Sequence, residues 1–424
     1  MKRDPVVLGE NYILSGDDVG KTRPNANVLI DGTTGCGKST STLFPTVARS
    51  EHSNPILSYA KEADAYKMAR YLNTLGYTCR ILNIANPEKS NISFDPMLSI
   101  ESYADIDALS AAIINATIKK TVDDYWNAKA KPLSSSLIAA TFMTSKENSN
   151  PGMADMLQLF DKLLPEENGY SVSTSLDSLF RRLEAAAPGC YAVREFNSWK
   201  SLPYRTASCC RDTLSAALST VFPESIRKLM QDKPQLDLIR FVHNKEALIV
   251  ITNAVDTSQQ YYANLFYRDL IRQLLRYAAG CRNGELPREI RFLFDDFACT
   301  CPIEGFERDI SLFRSAGLSA ILLLQSSSQM EAIYTKEAAS IIRQNCSVNV
   351  YFPGGFDDRS CEIVSKRMNL PYEEVLYAPL GKVFIMQSGR KPVHIPRYDT
   401  LNSKEYADYL NVTNCVPKNS RSRA

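Results

Sequence analysis

A glycine-rich segment that follows an apolar run carries the clearest chemical pattern of this sequence. Residues 32–39 fit GxxxxGK[ST], after the strand-like residues 28–30 and before a stretch with helical spacing. Glycines let the backbone curl so that successive N–H groups point at phosphate oxygens, and the following helix adds its positive N-terminal end. Lys38 would place a charge at the β- and γ-phosphates, and Ser39 would bind Mg²⁺. The pattern predicts a nucleotide site formed by Gly32, Thr33, Thr34, Gly35, Cys36, Gly37, Lys38, Ser39 and Thr40.

An acidic pair at the end of a second apolar run could complete this site. A phosphate loop needs a carboxylate near its Mg²⁺, and such carboxylates commonly end a buried strand. Asp295 and Asp296 directly follow residues 291–294. We assign Asp295 to the Mg²⁺ shell and Asp296 to activation of the attacking water. The alternative is a surface acidic pair, and Glu62 is the next carboxylate to consider as the base.

A polar amide follows the next apolar run along the chain. Gln325 ends residues 321–324, where an amide can hydrogen-bond the γ-phosphate or the attacking water. We predict that Gln325 senses the γ-phosphate and contributes to catalysis. The alternative is an ordinary polar loop residue.

The element pattern predicts an α/β fold, a P-loop NTPase (RecA-like) parallel sheet with an inserted all-α domain. Strand and helix patterns alternate before residue 100 and again after residue 236, which favours a parallel sheet covered on both faces. Helical spacing dominates between them. We therefore predict a nucleotide-binding domain in two parts, 1–100 and 236–400, an inserted all-α domain, 101–235, and a polar, frayed C-terminal tail, 401–424.

Composition excludes several classes of protein. The 424 residues carry a net charge of +2, so no global basic signal points to nucleic acid. Eleven cysteines, an odd number, argue for a reducing compartment rather than a disulfide framework. Three histidines, none near Cys299 and Cys301 in sequence, disfavour a zinc site and a histidine-based triad. No signal peptide or apolar run of membrane-spanning length is present, so we expect a cytoplasmic protein.

The order of these motifs resembles the type IV secretion coupling proteins of bacterial conjugation, which are similar to ring-forming DNA-translocating ATPases. The resemblance extends from about Gly9 to Met368. It implies an ATP- and Mg²⁺-dependent motor in a homo-oligomeric, hexameric ring that passes DNA, a relaxase-type protein or both to type IV secretion channel components at the inner membrane. The stretches that carry it are residues 28–40, 93–97, 124–137, 292–297 and 316–325.

The sequence departs from the family pattern at three points. Members usually carry Asp-Glu-Phe where this chain has Asp295-Asp296-Phe297, and Asp-Pro-Lys-Gly-Glu where it has residues 58–62. The shorter Asp296 predicts a low hydrolysis rate. Members mostly begin with transmembrane helices, which are not seen here, so we expect peripheral docking at the inner face of the membrane.

Several interpretations stay open. Ring ATPases use an arginine from a neighbouring subunit, and Arg314 and Arg343 are both candidates. Trp126, beside Tyr125, Lys129 and Lys131, could stack a base or hold a protein tail, although such a pair is more often core packing. Alternatives to the coupling function are a soluble DNA translocase of the segregation or packaging type, and a nucleotide-gated substrate-recruiting adaptor with little hydrolysis.

Overall fold

The computed structural model describes residues 2–15, 24–115, 124–145, 151–168, 171–253, 259–298, 302–355 and 357–414. Their contacts divide the chain into two compact units. The first consists of Met1–Ala85, Leu236–Val255 and Leu270–Ala424, and the second of Asn86–Gln235 and Asp256–Asp269. The second unit begins earlier than the predicted insertion, which starts at residue 101, because residues 86–100 pack with it. For example, the backbone N–H of Ser93 donates to the Pro234 carbonyl at 2.7 Å.

The strands lie mostly in the first unit. They are β1 Val6–Gly9, β2 Tyr12–Leu14, β3 Val28–Gly32, β4 Ser53–Tyr59, β5 Thr78–Asn83, β6 Pro165–Asn168, β7 Ser171–Thr174, β8 Glu246–Ile251, β9 Glu289–Phe294, β10 Leu318–Leu324, β11 Val348–Phe352, β12 Lys382–Gln387 and β13 Val393–Pro396.

The helices occur in both units, and a π-helical turn, Ser39–Leu43, leads into the first of them. They are α1 Phe44–Ala48, α2 Glu62–Thr74, α3 Tyr103–Asn115, α4 Asp124–Thr144, α5 Met153–Asp161, α6 Asp177–Ala186, α7 Tyr191–Lys200, α8 Tyr204–Val221, α9 Glu224–Asp232, α10 Leu238–His243, α11 Gln259–Gly280, α12 Phe306–Asp309, α13 Phe313–Ala316, α14 Ser327–Tyr334, α15 Lys336–Gln344, α16 Asp358–Met368, α17 Tyr372–Leu376 and α18 Lys404–Asn414. Short 3₁₀ turns span Pro87–Lys89, Pro96–Ser99 and Ile310–Leu312.

A nine-stranded sheet organises the first unit, with strand order β13-β12-β11-β3-β10-β9-β4-β8-β5. Every pair from β11 to β5 is parallel, while β12 and β13 are antiparallel. Strands β3, β8 and β10 are buried along their whole length, as expected for parallel strands covered on both faces. The predicted fold class is confirmed, and it brings the carboxyl ends of β3, β9 and β10 to one edge of the sheet.

The second unit is mainly helical, but the all-α prediction is wrong for one segment. Strands β6 and β7 form an antiparallel hairpin within this unit. Four-residue strands rich in polar residues produce no sustained alternation, so the sequence pattern does not reveal them. The helices pack through aromatic side chains: the rings of Phe180 and Phe196 stack with centroids 3.7 Å apart, and Trp199 donates from Nε1 to the Ala207 carbonyl at 3.1 Å.

The C-terminal segment also differs from its prediction. Residues 404–414 form α18 rather than a frayed tail. Tyr406 and Tyr409 of this helix contact the Phe44 ring at centroid distances of 5.5 and 5.1 Å, and Glu405 pairs with Arg49 at 3.0 Å. The two tyrosines lie three residues apart and therefore share one helix face, a signal that the polar composition obscures. Residues 415–424 lie outside the described residues.

Among the described residues, no helix combines the length and apolar character that crossing a membrane requires.

Candidate active site

The phosphate loop connects β3 to the π-helical turn, and its glycines have structural reasons. Gly35 and Gly37 have φ values of +83° and +96°, which side chains disfavour. A Cβ on Gly32 would lie 2.7 Å from Cβ of Phe352, because β11 packs closely there. The Lys38 side chain folds along the loop, and its Nζ donates to the carbonyl oxygens of Gly32 and of Thr33, the latter at 2.9 Å. The predicted loop residues thus form one continuous turn at the carboxyl edge of the sheet.

Ser39 and Asp295 meet across the two strand ends. The Ser39 hydroxyl donates to Oδ1 of Asp295 at 2.8 Å. Burial raises the pKa of the Asp295 carboxyl, the nearby Asp296 acts in the same direction, and the Ser39 bond and the Lys38 charge oppose both. A divalent cation would offset this partly buried negative charge. Hydroxyl and carboxylate oxygens are also the donors that Mg²⁺ prefers, so the residues present fit that ion.

Asp296 and Gln325 form the second contact at this edge. Nε2 of Gln325 donates to Oδ1 of Asp296 at 3.1 Å. Gln325 follows β10 and Asp296 follows β9. These two strands are neighbours in the sheet, so their carboxyl ends bring the two side chains together. Asp296 is exposed and adopts φ +63°, a left-handed conformation that Asp and Asn tolerate better than Glu does. The backbone here thus suits the aspartate that replaces the glutamate usual in the resembling family.

The two arginine candidates have different surroundings. Nη2 of Arg343 donates to the Ser327 hydroxyl at 2.7 Å, and that hydroxyl donates to the carboxylate of Asp31, directly before the phosphate loop. Burial lowers the pKa of Arg343, while the charge of Asp31 opposes this shift. Arg314 instead has an exposed side chain on α13, just before the amino end of β10. The structure therefore gives Arg343 an internal role beneath the loop.

Some polar residues at this edge cannot be identified from the sequence. The Ser58 hydroxyl, at the end of β4, accepts from the backbone N–H of Asp295 at 3.0 Å and so fixes the turn after β9. Arg397, beyond β13, donates from Nη1 to the Cys36 carbonyl at 2.8 Å. Arg397 belongs to no recognisable motif, and Ser58 stands where the resembling family's motif is not kept. Only the spatial proximity of distant segments reveals these two contacts. Glu62 begins α2, which follows β4 at the same edge.

The aromatic pair proposed for substrate contact lies at the surface of the second unit. Tyr125 is half-exposed and Trp126 partly buried, with ring centroids 5.3 Å apart in an edge-to-face arrangement. Nζ of Lys129 lies 5.8 Å from the centroid of the Tyr125 ring. This exposure is inconsistent with simple core packing of Tyr125. The cysteines of the close pair, Cys299 and Cys301, lie outside the described residues.

A glycine-rich loop after a buried parallel strand, with a serine–aspartate pair beside it, is the arrangement of a P-loop NTPase fold. The family described as type IV secretory system conjugative DNA transfer matches residues 2–368, and the chain belongs to that family. No curated protein matches the sequence.

Several solved structures share this fold. The bacterial conjugative coupling protein TrwBdeltaN70, in a trigonal form with sulphate, has a TM-score of 0.63 and 15% identity, and the match covers 88% of this chain and 85% of that one. VirB4 of Thermoanaerobacter pseudethanolicus has a TM-score of 0.58 and 12% identity, with 96% and 99% covered. TrwB in complex with the non-hydrolysable ATP analogue ADPNP has a TM-score of 0.60 and 14% identity, with 88% and 85% covered.

Proposed function

We propose that this chain is an ATP-hydrolysing coupling protein that recruits and moves a conjugative DNA–protein substrate to a type IV secretion channel. The observation that carries the proposal is the row Ser39–Asp295 and Asp296–Gln325, joined by hydrogen bonds of 2.8 and 3.1 Å beside the phosphate loop. Family membership supports the transfer role. The relative TrwB has been solved with ADP and Mg²⁺, which supports the same ligands here.

The residues of this row would divide the reaction between them. The loop N–H groups and Lys38 bind the phosphates, and Ser39 and Asp295 would hold Mg²⁺, which neutralises charge on the β- and γ-phosphates when it is bound. Asp296 accepts the proton of the water that attacks the γ-phosphorus, while the bond to ADP breaks. Gln325 orients that water and senses the γ-phosphate. Exposure of Asp296 leaves it accessible to the water.

Assembly into a ring would supply the remaining positive charge. Of the two arginines considered, Arg314 is the better candidate to act on a neighbouring subunit, because its side chain is exposed while Arg343 is partly buried and bonded to Ser327. Strand β10 runs from Leu318 to Leu324, so Arg314 and Gln325 lie at opposite ends of it. A strand of this length spans roughly 20 Å, too far for Arg314 to reach the phosphate loop of its own subunit. We propose that the ring works at the inner face of the membrane.

The phosphate site is tested by Lys38→Ala. Loss of this charge should lower ATP turnover by at least about 10²-fold, the usual scale for one electrostatic stabiliser. Lys67→Ala is the matched control, because the Lys67 side chain on α2 is partly exposed and pairs only with Asp64 among the described contacts. Circular dichroism and unfolding midpoints verify that both variants are folded. Turnover of Lys38→Ala equal to that of the parent would show that the site assignment is wrong.

Substrate recognition is assigned to the second unit, which contains none of the phosphate-site residues. Tyr125 and Lys129 offer an exposed ring and a cation, a combination that suits stacked bases or an acidic protein tail. The double variant Tyr125→Ala/Lys129→Ala should weaken binding of single-stranded DNA or relaxase while ATP turnover stays unchanged. Fluorescence anisotropy measures the binding, and Arg181→Ala, another exposed position of this unit, is the control. Unchanged affinity for both substrates would exclude this surface.

A nucleotide-gated adaptor with little hydrolysis is the second candidate, favoured by the short side chain of Asp296. Its carboxylate falls about 1.5 Å short of a glutamate carboxylate, one C–C bond length. Turnover measured with DNA and at ring-forming protein concentrations distinguishes the two functions. An adaptor binds ATP but shows no appreciable turnover even then.

A further inference from the structure

The side chain of Arg397 lies against the outer flank of the phosphate loop. Its Nη1 donates to the Cys36 carbonyl at 2.8 Å. A Cβ placed on Gly37 would lie only 2.4 Å from the same nitrogen, so the guanidinium lies directly over the Gly37 Cα. Arg397 is exposed, and it lies beyond the residues 2–368 that match the family. Neither the sequence motifs nor the family match assigns it a role.

The backbone around Arg397 is held in place from both sides. Its own N–H donates to the Gly381 carbonyl at 2.9 Å. Three residues later, the buried Thr400 donates from Oγ1 to the Thr40 carbonyl at 2.7 Å, at the end of the phosphate loop. Between them, the Tyr398 hydroxyl accepts from Arg49 at 2.7 Å. The segment 397–400 therefore runs alongside residues 36–40 in a defined position, and the guanidinium is placed by the scaffold.

The side of the loop on which Arg397 lies determines what it can contact. Loop N–H groups point to bound phosphates. The Arg397 guanidinium instead contacts the Cys36 carbonyl and lies over the Gly37 Cα, away from the Gly32 and Thr33 carbonyls that Lys38 contacts at the start of the loop. The part of a nucleotide that extends outside the phosphate cradle is the ribose and base. A guanidinium is planar and stacks on aromatic faces, so it suits a purine base.

We propose that Arg397 is a nucleotide-binding residue, supplied by the same chain, that covers the base of ATP or ADP bound at the phosphate loop. The inference rests on the proposed function, since it requires a nucleotide at that loop. The segment 397–400 would then lie on the side of the site that holds the ribose and base. Nucleotide affinity then depends on two separate regions, with the loop binding phosphates and Arg397 binding the base.

Two ligands separate these contributions. Binding of a fluorescent ADP analogue is measured with Mg²⁺, and unlabelled ADP and inorganic tripolyphosphate are used as competitors. Arg397→Ala should weaken ADP by about 3- to 30-fold, the range expected for one stacked cation, and leave tripolyphosphate unchanged. Arg390→Ala is the matched control, an exposed arginine in the turn between β12 and β13. It should bind both competitors as the parent does.

The remaining outcomes overturn the inference or the function on which it rests. Unchanged ADP affinity in Arg397→Ala would show that the base is not covered by this side chain. Equal weakening of ADP and tripolyphosphate would place the residue on the phosphates, which also contradicts the proposal. Lys38→Ala should weaken both competitors, and a parent protein that binds neither would refute the nucleotide site itself.

Discussion

The two edges of the central sheet carry similar polar residues in opposite environments. At the amino edge, Glu289 and Arg291 are 0% and 1% exposed and form an ion pair at 3.0 Å. The Ser319 hydroxyl donates to the second Glu289 oxygen at 2.7 Å, and Arg291 also donates to the Asp4 carbonyl at 2.8 Å. At the carboxyl edge, the contacts of Ser39, Asp295, Asp296 and Gln325 leave Asp296 exposed.

This difference separates a structural polar cluster from a candidate reactive one. A buried polar group without a partner is costly, so the amino edge is stable only because its donors and acceptors are matched. Asp4 illustrates the same matching: although burial alone would raise its pKa, bonds from Ser53 and from backbone N–H groups, with the charge of Arg291, lower it. The carboxyl edge instead retains oxygens that can accept a metal ion or a proton.

Breaking the amino edge should produce the largest change in stability. Arg291→Met removes one partner and leaves Glu289 charged and buried, which should lower the free energy of unfolding by about 3–5 kcal/mol. Urea denaturation measures this loss. Replacing both partners, in Arg291→Met/Glu289→Leu, should restore most of it, because no unpaired charge remains. A single variant that unfolds like the parent would contradict the structural role of this edge.

Changing the carboxyl edge should affect rate rather than stability. Asp296→Asn preserves the left-handed backbone and the side-chain size but removes the proposed base, so turnover should fall by about 10²-fold while ATP binding persists. The free energy of unfolding should stay within about 0.5 kcal/mol of the parent value, as for other exposed positions. Steady-state turnover and urea denaturation measure the two effects.

Asp296→Glu sharpens this test. A faster variant means that side-chain reach limits hydrolysis, and a slower one means that the pocket is built for aspartate. If Asp296→Asn retains the parent rate, even with DNA and at ring-forming concentrations, Asp296 is not the base and Glu62 is the next carboxylate to test.

Asp95, in the second unit, is a buried carboxylate whose described bonds come from backbone donors. It accepts from the N–H groups of Met97 at 2.9 Å and Met153 at 2.8 Å. Burial raises its pKa from 3.8 to about 6. The folded state therefore holds this proton more tightly than the unfolded state does. The stability that the proton contributes is present below about pH 4 and is lost as the pH rises to about 6.

Asp95→Asn should remove that pH dependence. Above pH 6 the variant should be more stable than the parent by about 1–2 kcal/mol. The gain is small because an amide retains only one of the two acceptor oxygens. Thermal unfolding midpoints between pH 4.5 and 7.5 measure the change. If the thermal unfolding midpoint of the parent does not decrease as the pH rises from 4.5 to 6, the buried-carboxyl interpretation is contradicted.

Local sequence patterns alone identify Ser39, Asp295, Asp296 and Gln325, the residues that meet at the carboxyl edge of the sheet. The phosphate loop is one contiguous segment, so the spacing of its glycines, Lys38 and Ser39 is visible in the sequence. Asp295 and Gln325 each end an apolar run, and carboxyl ends of parallel strands meet at one edge. These predictions need only strand direction, and the fold class follows from the same alternation of strands and helices. The assigned roles remain predictions.

Tertiary structure decided everything that depends on which distant segments become neighbours. Arg397 and Cys36 lie 361 positions apart, and no local periodicity connects them. The same holds for Arg343, turned inward by Ser327, and for α18, packed by Tyr406 and Tyr409 although its composition is polar. Strand order is the physical reason: β11 pairs with β3, and β12 and β13 extend the sheet beyond β11, so the end of the chain returns to the side of the sheet that holds the phosphate loop.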